Sequence, residues 1–154
     1  MAESLTVTVE KNPFMDGSMG GSFAVILDWV SAAGGTVSKD IASTYTAQKP
    51  FGEYFDVSKI LGTLVSVETI PGADGDLTTD LPSANYNIAI KDKYGLDVTG
   101  GHLTLRSGTV AEKIVAEDTI IIDSELKLVI DSAGDSNQGR IVMEFEEIAG
   151  NIRG

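Results

Sequence analysis

Apolar and polar residues alternate with a period of two along much of this 154-residue chain. Leu5, Val7 and Val9 alternate with threonines and an acid, a pattern that predicts a strand with one buried face. The same period recurs in four later segments, 62–70, 86–90, 126–130 and 141–145. Val, Ile and Thr are frequent in these segments, as they are in strands generally. The pattern therefore predicts a β-rich protein.

Turn signals rich in glycine, proline and aspartate separate these segments, at spacings typical of β-sandwiches and barrels. One short helix is expected near 110–117, because Thr109 and Glu112 have capping-box spacing and Ile114 follows at helical spacing. We therefore expect an all-β sandwich or barrel-like domain of seven to nine short strands, with one short helix.

The length of the chain suits a single domain. Residues 1–22 are predicted to be an N-terminal strand followed by a flexible, extended arm, because 11–22 contains Pro13 and three glycines and has no period. Residues 23–154 are predicted to form the β-rich body of the domain.

Composition excludes several kinds of site and partner. The chain has no cysteine, which excludes disulfides and thiolate metal sites. Its net charge of −12 repels phosphate groups, so we expect neither nucleic acid nor membrane as a partner. No run reaches the roughly 18 apolar residues of a membrane span, and the first residues do not read as a signal peptide. We expect synthesis in the cytoplasm.

Catalytic patterns are weak. His102, the only histidine, follows two glycines and lacks the serine elbow and the additional ligands that a hydrolase or a histidine-based zinc site needs. The 23 acids offer many carboxylate pairs for glycoside hydrolysis, and only their separation in space would identify one. We predict a protein that is not an enzyme and has no cofactor.

Two loops gather oxygen side chains that could bind calcium. They contain Asp74, Asp76 and Asp80 in the first loop and Asp131, Asp135 and Asn137 in the second. Neither has the best-known calcium-loop spacing, and aspartate in turns is explained by bonds to its own backbone. No metal site is predicted, and calcium at these aspartates stays open.

The remaining candidates are surfaces that bind protein. Five aromatic and methionine residues lie in segments predicted as loops, where they either fold back as satellite core or anchor neighbouring chains. The first strand could also add to the sheet edge of a neighbouring subunit. The candidate interface residues are Leu5, Val7, Val9, Phe14, Met15, Phe51, Tyr54 and Phe55.

The middle of the chain contains a series of turn and strand segments in a distinctive order: Gly62-Thr63-Leu64-Val65, Glu68-Thr69-Ile70-Pro71-Gly72, Leu81-Pro82-Ser83-Ala84-Asn85-Tyr86-Asn87-Ile88, Asp92-Lys93-Tyr94-Gly95-Leu96-Asp97-Val98 and Gly100-Gly101. This series resembles small virion structural proteins of tailed phages. In that family the third segment has Thr and Asp where this chain has Ser83 and Asn87.

The resemblance implies an all-β protein on the phage particle, with no catalytic residues. We favour a head decoration, or cement, protein on the outer capsid surface, which binds the major capsid protein and itself as a homotrimer. The alternatives are a structural protein of the neck or tail fibre, or a carbohydrate-binding β module, which needs exposed aromatics although Trp29 is expected to be buried. A lytic enzyme dependent on His102 is a third alternative.

Overall fold

The alternating segments form antiparallel strands in two sheets. The computed structural model describes residues 3–11, 22–41 and 60–146. Eight strands lie in these residues: β1 (Ser4–Lys11), β2 (Ser22–Val30), β3 (Val37–Asp40), β4 (Ile60–Pro71), β5 (Asn87–Lys91), β6 (Glu112–Ser124), β7 (Lys127–Asp131) and β8 (Gln138–Glu146). A short 3-10 turn at Ala73–Gly75 follows β4. The predicted all-β sandwich and its number of strands are confirmed.

The larger sheet has five strands in the order β1-β2-β8-β4-β6, and the smaller has three in the order β3-β7-β5. Burial alternates along β2 and β8, so every second residue points into the core. The predicted first strand is confirmed as β1, which pairs with β2 from Ser4 opposite Val30 to Lys11 opposite Phe23. Residues 4–11 are therefore part of the same sheet as the rest of the domain.

The core lies between the two sheets and receives side chains from both. Phe23 of β2 stacks on Phe145 of β8, with ring centroids 5.0 Å apart. Gly62 of β4 faces these two rings, and a Cβ there would lie 3.1 Å from each. Fully burying one large apolar side chain contributes about 1.5–3 kcal/mol, so this shared core is what holds the sheets together.

Both edges of the smaller sheet are covered. At β3, the Ser38 N–H donates to the Glu3 carboxylate over 2.9 Å, which ties this edge to the start of β1. At β5, the segment 97–106 runs alongside the strand, with the Val98 N–H donating to the Ile90 carbonyl over 2.8 Å. These bonds satisfy backbone groups that an open edge would leave to water or to other chains.

The predicted helix near 110–117 is wrong, because these residues enter β6. Ile114 pairs with Val67, and β6 follows β4 as far as Ser124 opposite Ile60. Glu112 does not cap a helix, and its carboxylate accepts the Ser107 N–H over 2.7 Å. A free edge of β4 offers a whole ladder of backbone bonds, which outweighs a local capping preference.

Candidate interface

The eight interface residues predicted from the sequence fall into two groups. Leu5, Val7 and Val9 lie in the core of this chain, where β1 pairs with β2. That apolar face is therefore covered by the chain's own sheets, and exchange of the strand between copies stays a prediction. The other five lie outside the described residues: Phe14, Met15, Phe51, Tyr54 and Phe55.

The five-stranded sheet carries aliphatic residues on the face that points away from the core. We call this surface the outer aliphatic face. It consists of Ile26, Val30, Ile70 and Val142, each of which is half-buried. Ile26 and Val142 lie directly opposite each other on β2 and β8. A polar residue would be expected at these positions of an outward-facing strand, so the face is a candidate protein-binding surface.

Polar and charged groups lie on both sides of the Ile26–Val142 pair. Two residues along from Ile26 and Val142, the Arg140 guanidinium donates to both carboxylate oxygens of Asp28, from Nε over 2.7 Å and from Nη2 over 3.0 Å. This hydrogen bond raises the pKa of Arg140. On the other side, the Ser66 hydroxyl donates to the Glu144 carboxylate over 3.1 Å. The Asp28–Arg140 pair explains the acid that interrupts the apolar run of β2.

The edge strand β6 presents a second surface, which we call the β6 edge. Its outward and exposed residues are Lys113, Val115, Thr119, Ile121 and Asp123. Val115 is 65% exposed and Ile121 is 64% exposed, which is high for large aliphatic side chains. Within the part of the chain that the structure describes, β4 is the only strand that pairs with β6. Such an edge is a template for pairing with another strand.

A groove of about 420 Å³ opens at the corner between β6 and the loop at 97–102. Its floor and walls are aliphatic, formed by Leu64, Val67, Val98, Ile114 and Ile120. Among the described residues, the polar side chains that line it are Thr99 and His102, and the Thr99 hydroxyl donates to Asp97 over 2.7 Å. Asp97 is thus bonded to its own loop and does not orient His102. The groove therefore lacks the arrangement of a serine-hydrolase triad.

Loop aspartates considered for calcium accept hydrogen bonds from the chain itself. Asp76 accepts the N–H groups of Thr79 and Thr78 over 2.8 and 2.9 Å, and these bonds lower its pKa to about 2. Asp131 accepts the amide of Asn87 over 2.9 Å. Across residues 3–11, 22–41 and 60–146, no three or more His, Asp or Glu side chains are grouped so that they could hold a metal ion.

The aromatic residues within the described ranges point mostly inward. Trp29 is 1% exposed and packs against Tyr86, with ring centroids 5.6 Å apart, while Phe23 and Phe145 are also buried. Tyr94 is the exception, at 78% exposure on the turn after β5. A single turn tyrosine is not the aromatic platform of a carbohydrate-binding sheet, so the described part of the chain does not favour that alternative.

No helix within the described ranges is long and apolar enough to cross a membrane. Comparison with known proteins gives no match: no family model, no curated protein and no solved structure matches this chain.

The outer aliphatic face and the β6 edge were both missed by the sequence analysis. A usable signal was present for the first. Val142 lies between Arg140 and Glu144 in a strand whose inward positions are already filled by Ile141 and Met143. An aliphatic residue on the polar side of an amphipathic strand indicates a second buried surface.

Proposed function

We propose that this protein is a non-enzymatic virion structural protein that decorates the outer surface of a tailed-phage capsid. It binds the major capsid protein and its own copies. The observation that carries the proposal is the outer aliphatic face, in which Ile26 and Val142 lie side by side on inner strands of the larger sheet. The turn at Ala73–Gly75 packs beside Ile70, so within the described residues the part of the face available to a partner is centred on Ile26 and Val142.

The borders of the face support protein binding. Interfaces between proteins place apolar residues at the centre and polar groups at the rim. Here Asp28 and Arg140 on one side and Glu144 on the other flank the Ile26–Val142 pair, which is the apolar centre. A rigid sheet also presents the face without loss of chain entropy on binding, which favours affinity.

The resemblance to tailed-phage structural proteins supports the same function. Residues that carry the resemblance also stabilise loops and turns of this fold. Asp97 accepts the N–H groups of Ile90, Thr99 and Gly101 over 3.0–3.2 Å, which fixes the loop that covers β5. Gly72 ends β4 with a φ of 101°, which favours glycine. The similar segments therefore support a similar fold, while the outer aliphatic face supplies the binding surface.

Capsid geometry would make weak contacts sufficient. A homotrimer at a local three-fold position presents the same face three times, and linked contacts add into tight binding. The net charge of −12 keeps free copies apart and soluble before they attach to the particle.

The test compares two matched double variants. Ile26→Gln/Val142→Gln changes directly opposed residues of the outer aliphatic face. Ala89→Gln/Val129→Gln changes directly opposed, half-buried residues on the outward face of the smaller sheet. Each protein is sedimented with purified, expanded tailed-phage heads from which decoration protein has been removed. We expect wild type and the Ala89/Val129 variant to bind alike, and the Ile26/Val142 variant to bind about tenfold or more weakly.

The outcomes separate the alternatives. Failure of the wild-type protein to bind expanded heads would refute decoration, and electron microscopy showing it at the neck or tail fibre would favour that alternative position. Equal binding by both folded double variants would show that another surface contacts the capsid. Circular dichroism of each variant checks that the sheets are intact.

A further inference from the structure

We infer that loops at one end of the sandwich make a second contact with the capsid, in which rigidly held leucine side chains enter an apolar pocket bordered by lysine or arginine. We call this surface the loop end. Its exposed aliphatic residues are Leu77, Leu105 and Val110. The inference rests on the proposed function, because the partner it names is the major capsid protein.

Leu77 and Val110 both lie where β4 ends. The Leu77 N–H donates to the carbonyl of Pro71, the last residue of β4, over 3.0 Å. Val110 lies two residues before Glu112, the first residue of β6, which pairs with Thr69 of β4. Leu77 is 44% exposed and Val110 is 60% exposed, so both side chains are accessible to a partner.

Leu105 is held at the same end by the segment that follows it. The Glu112 carboxylate accepts the Ser107 N–H over 2.7 Å and lies 3.6 Å from the Arg106 guanidinium. The Ser107 hydroxyl also accepts the Val110 N–H over 3.0 Å. Leu105 is 65% exposed. The loop end therefore gathers aliphatic side chains from two loops, whereas exposed aliphatic residues scattered singly would need no explanation.

Leu77 and Leu105 have a backbone conformation that leucine rarely adopts. Their φ angles are 65° and 56°, in the left-handed region that is unfavourable for most residues with a Cβ. Other left-handed positions of these loops carry the residue types that tolerate it, namely Asp74, Asp80 and Asn85. An exposed leucine gains little from packing within its own chain. A contact with another molecule accounts for leucine at these two positions.

Hydrogen bonds fix the loop that carries Leu77 before a partner binds. The Thr79 N–H donates to the Asp76 carboxylate over 2.8 Å. The Gln138 N–H donates to the Asp80 carbonyl over 2.7 Å, which ties the end of the loop to β8. A loop whose shape is already fixed loses little conformational entropy on binding, and this favours affinity.

The charge of the loop end favours a basic partner. Three exposed aspartates flank Leu77: Asp74, Asp76 and Asp80. Residues 72–90 contain no lysine or arginine, and the Arg106 guanidinium is already paired with Glu112. A second copy of this chain, with its net charge of −12, would be repelled, whereas lysine or arginine around an apolar pocket would attract the loop end. This argues for the capsid protein as the partner instead of another copy.

The test removes the two leucine side chains and keeps the backbone conformation. Leu77→Asn/Leu105→Asn places asparagine, which tolerates a left-handed φ, at both positions. Leu96→Asn is the matched control, because Leu96 is 66% exposed on the turn after β5. Each protein is sedimented with expanded tailed-phage heads from which decoration protein has been removed. We expect the double variant to bind about tenfold or more weakly, and Leu96→Asn to bind like the wild type.

Salt tests the chemistry of the partner. Raising the salt concentration from about 0.05 M to about 0.5 M should weaken the binding of wild type to the heads, because it screens opposite charges. Asp74→Asn/Asp80→Asn removes two charges and keeps residues that tolerate a left-handed φ. Its binding should depend less on salt. Wild-type binding that salt does not weaken would overturn the assignment of a basic partner.

Hydroxyl-radical footprinting of the wild-type protein gives a readout that needs no variant to fold. On the heads, Leu77 and Leu105 should be protected from oxidation, and Leu96 should remain reactive. Equal binding by the folded Leu77/Leu105 variant and the wild type, or unchanged oxidation of both leucines on the heads, would overturn the inference and leave the proposed function intact. Failure of the wild type to bind the heads would refute the proposed function, and this inference with it.

Discussion

Gly139 of β8 is the position where one added methyl group should be most informative. It pairs with Trp29 of β2, and the indole ring lies across it. A Cβ at 139 would lie 2.5 Å from Cζ2 and 2.8 Å from Cε2 of that ring. Trp29 is 1% exposed and packs against Tyr86, so it has little room to move away. Gly139 is therefore required for close approach, since its φ is not positive.

The size of the effect follows from two opposing terms. Overpacking a tight core costs about 1–3 kcal/mol. Replacing glycine by alanine also restricts the unfolded chain, which stabilises the fold by about 0.4–1 kcal/mol. Gly34→Ala measures this second term alone, because a Cβ at 34 would have no atom within 4 Å and the backbone there has no positive φ. We expect Gly139→Ala to be about 2 kcal/mol less stable than Gly34→Ala.

The assay is thermal unfolding followed by circular dichroism and by the fluorescence of Trp29, the only tryptophan of the chain. For a domain of this size, 2 kcal/mol corresponds to a fall in Tm of about 4–8 °C. Gly139→Ala should also shift the native emission, because the indole must move, whereas Gly34→Ala should not. Equal melting temperatures and identical emission for the two variants would refute the claim that the ring and Gly139 are in tight contact.

Three further predictions concern buried or bridging polar groups. Burial raises the pKa of Tyr86 to about 12, so the free energy of unfolding should fall by about 2–3 kcal/mol as pH rises from 10 to 12. Alkaline titrations of the Tyr86→Phe variant should show a smaller fall. A double-mutant cycle on Asp28 and Arg140, followed by urea unfolding, should give a coupling of about 1 kcal/mol that decreases with salt. Asp97→Ala should cost about 1–3 kcal/mol by the same measurement, and Asp97→Asn less, because the amide oxygen can still accept from the Thr99 N–H.

Local sequence patterns predicted the parts of the fold whose structure depends on residues close together in the chain. The period-two alternation of β1 is confirmed. Turn signals rich in glycine and aspartate also separate strands as expected, for example after β5, where the Gly95 N–H donates to the Asp92 carbonyl over 3.0 Å. The helix predicted near 110–117 is wrong, although the capping-box spacing of Thr109 and Glu112 is present in the sequence. Glu112 does accept a backbone N–H, but from Ser107, in a turn that leads into β6. This segment is a strand because it pairs with β4. Since β4 is far away in the sequence, a local pattern does not indicate that pairing.

The binding surfaces are hard to predict from local patterns for a related reason. Alternation predicts that a strand has two different faces. It does not indicate which face packs against a second sheet and which contacts another molecule. Leu5 and its neighbours were therefore assigned to an interface although their own sheet buries them. The sequence signal for a second surface is a pair of aliphatic residues on the face that points away from the core. Ile26 and Val142 are these residues, and the core between the two sheets does not need them there. The core needs one apolar face of each strand, so the aliphatic residues on the other face of this sheet are the ones on which the proposed capsid contact depends.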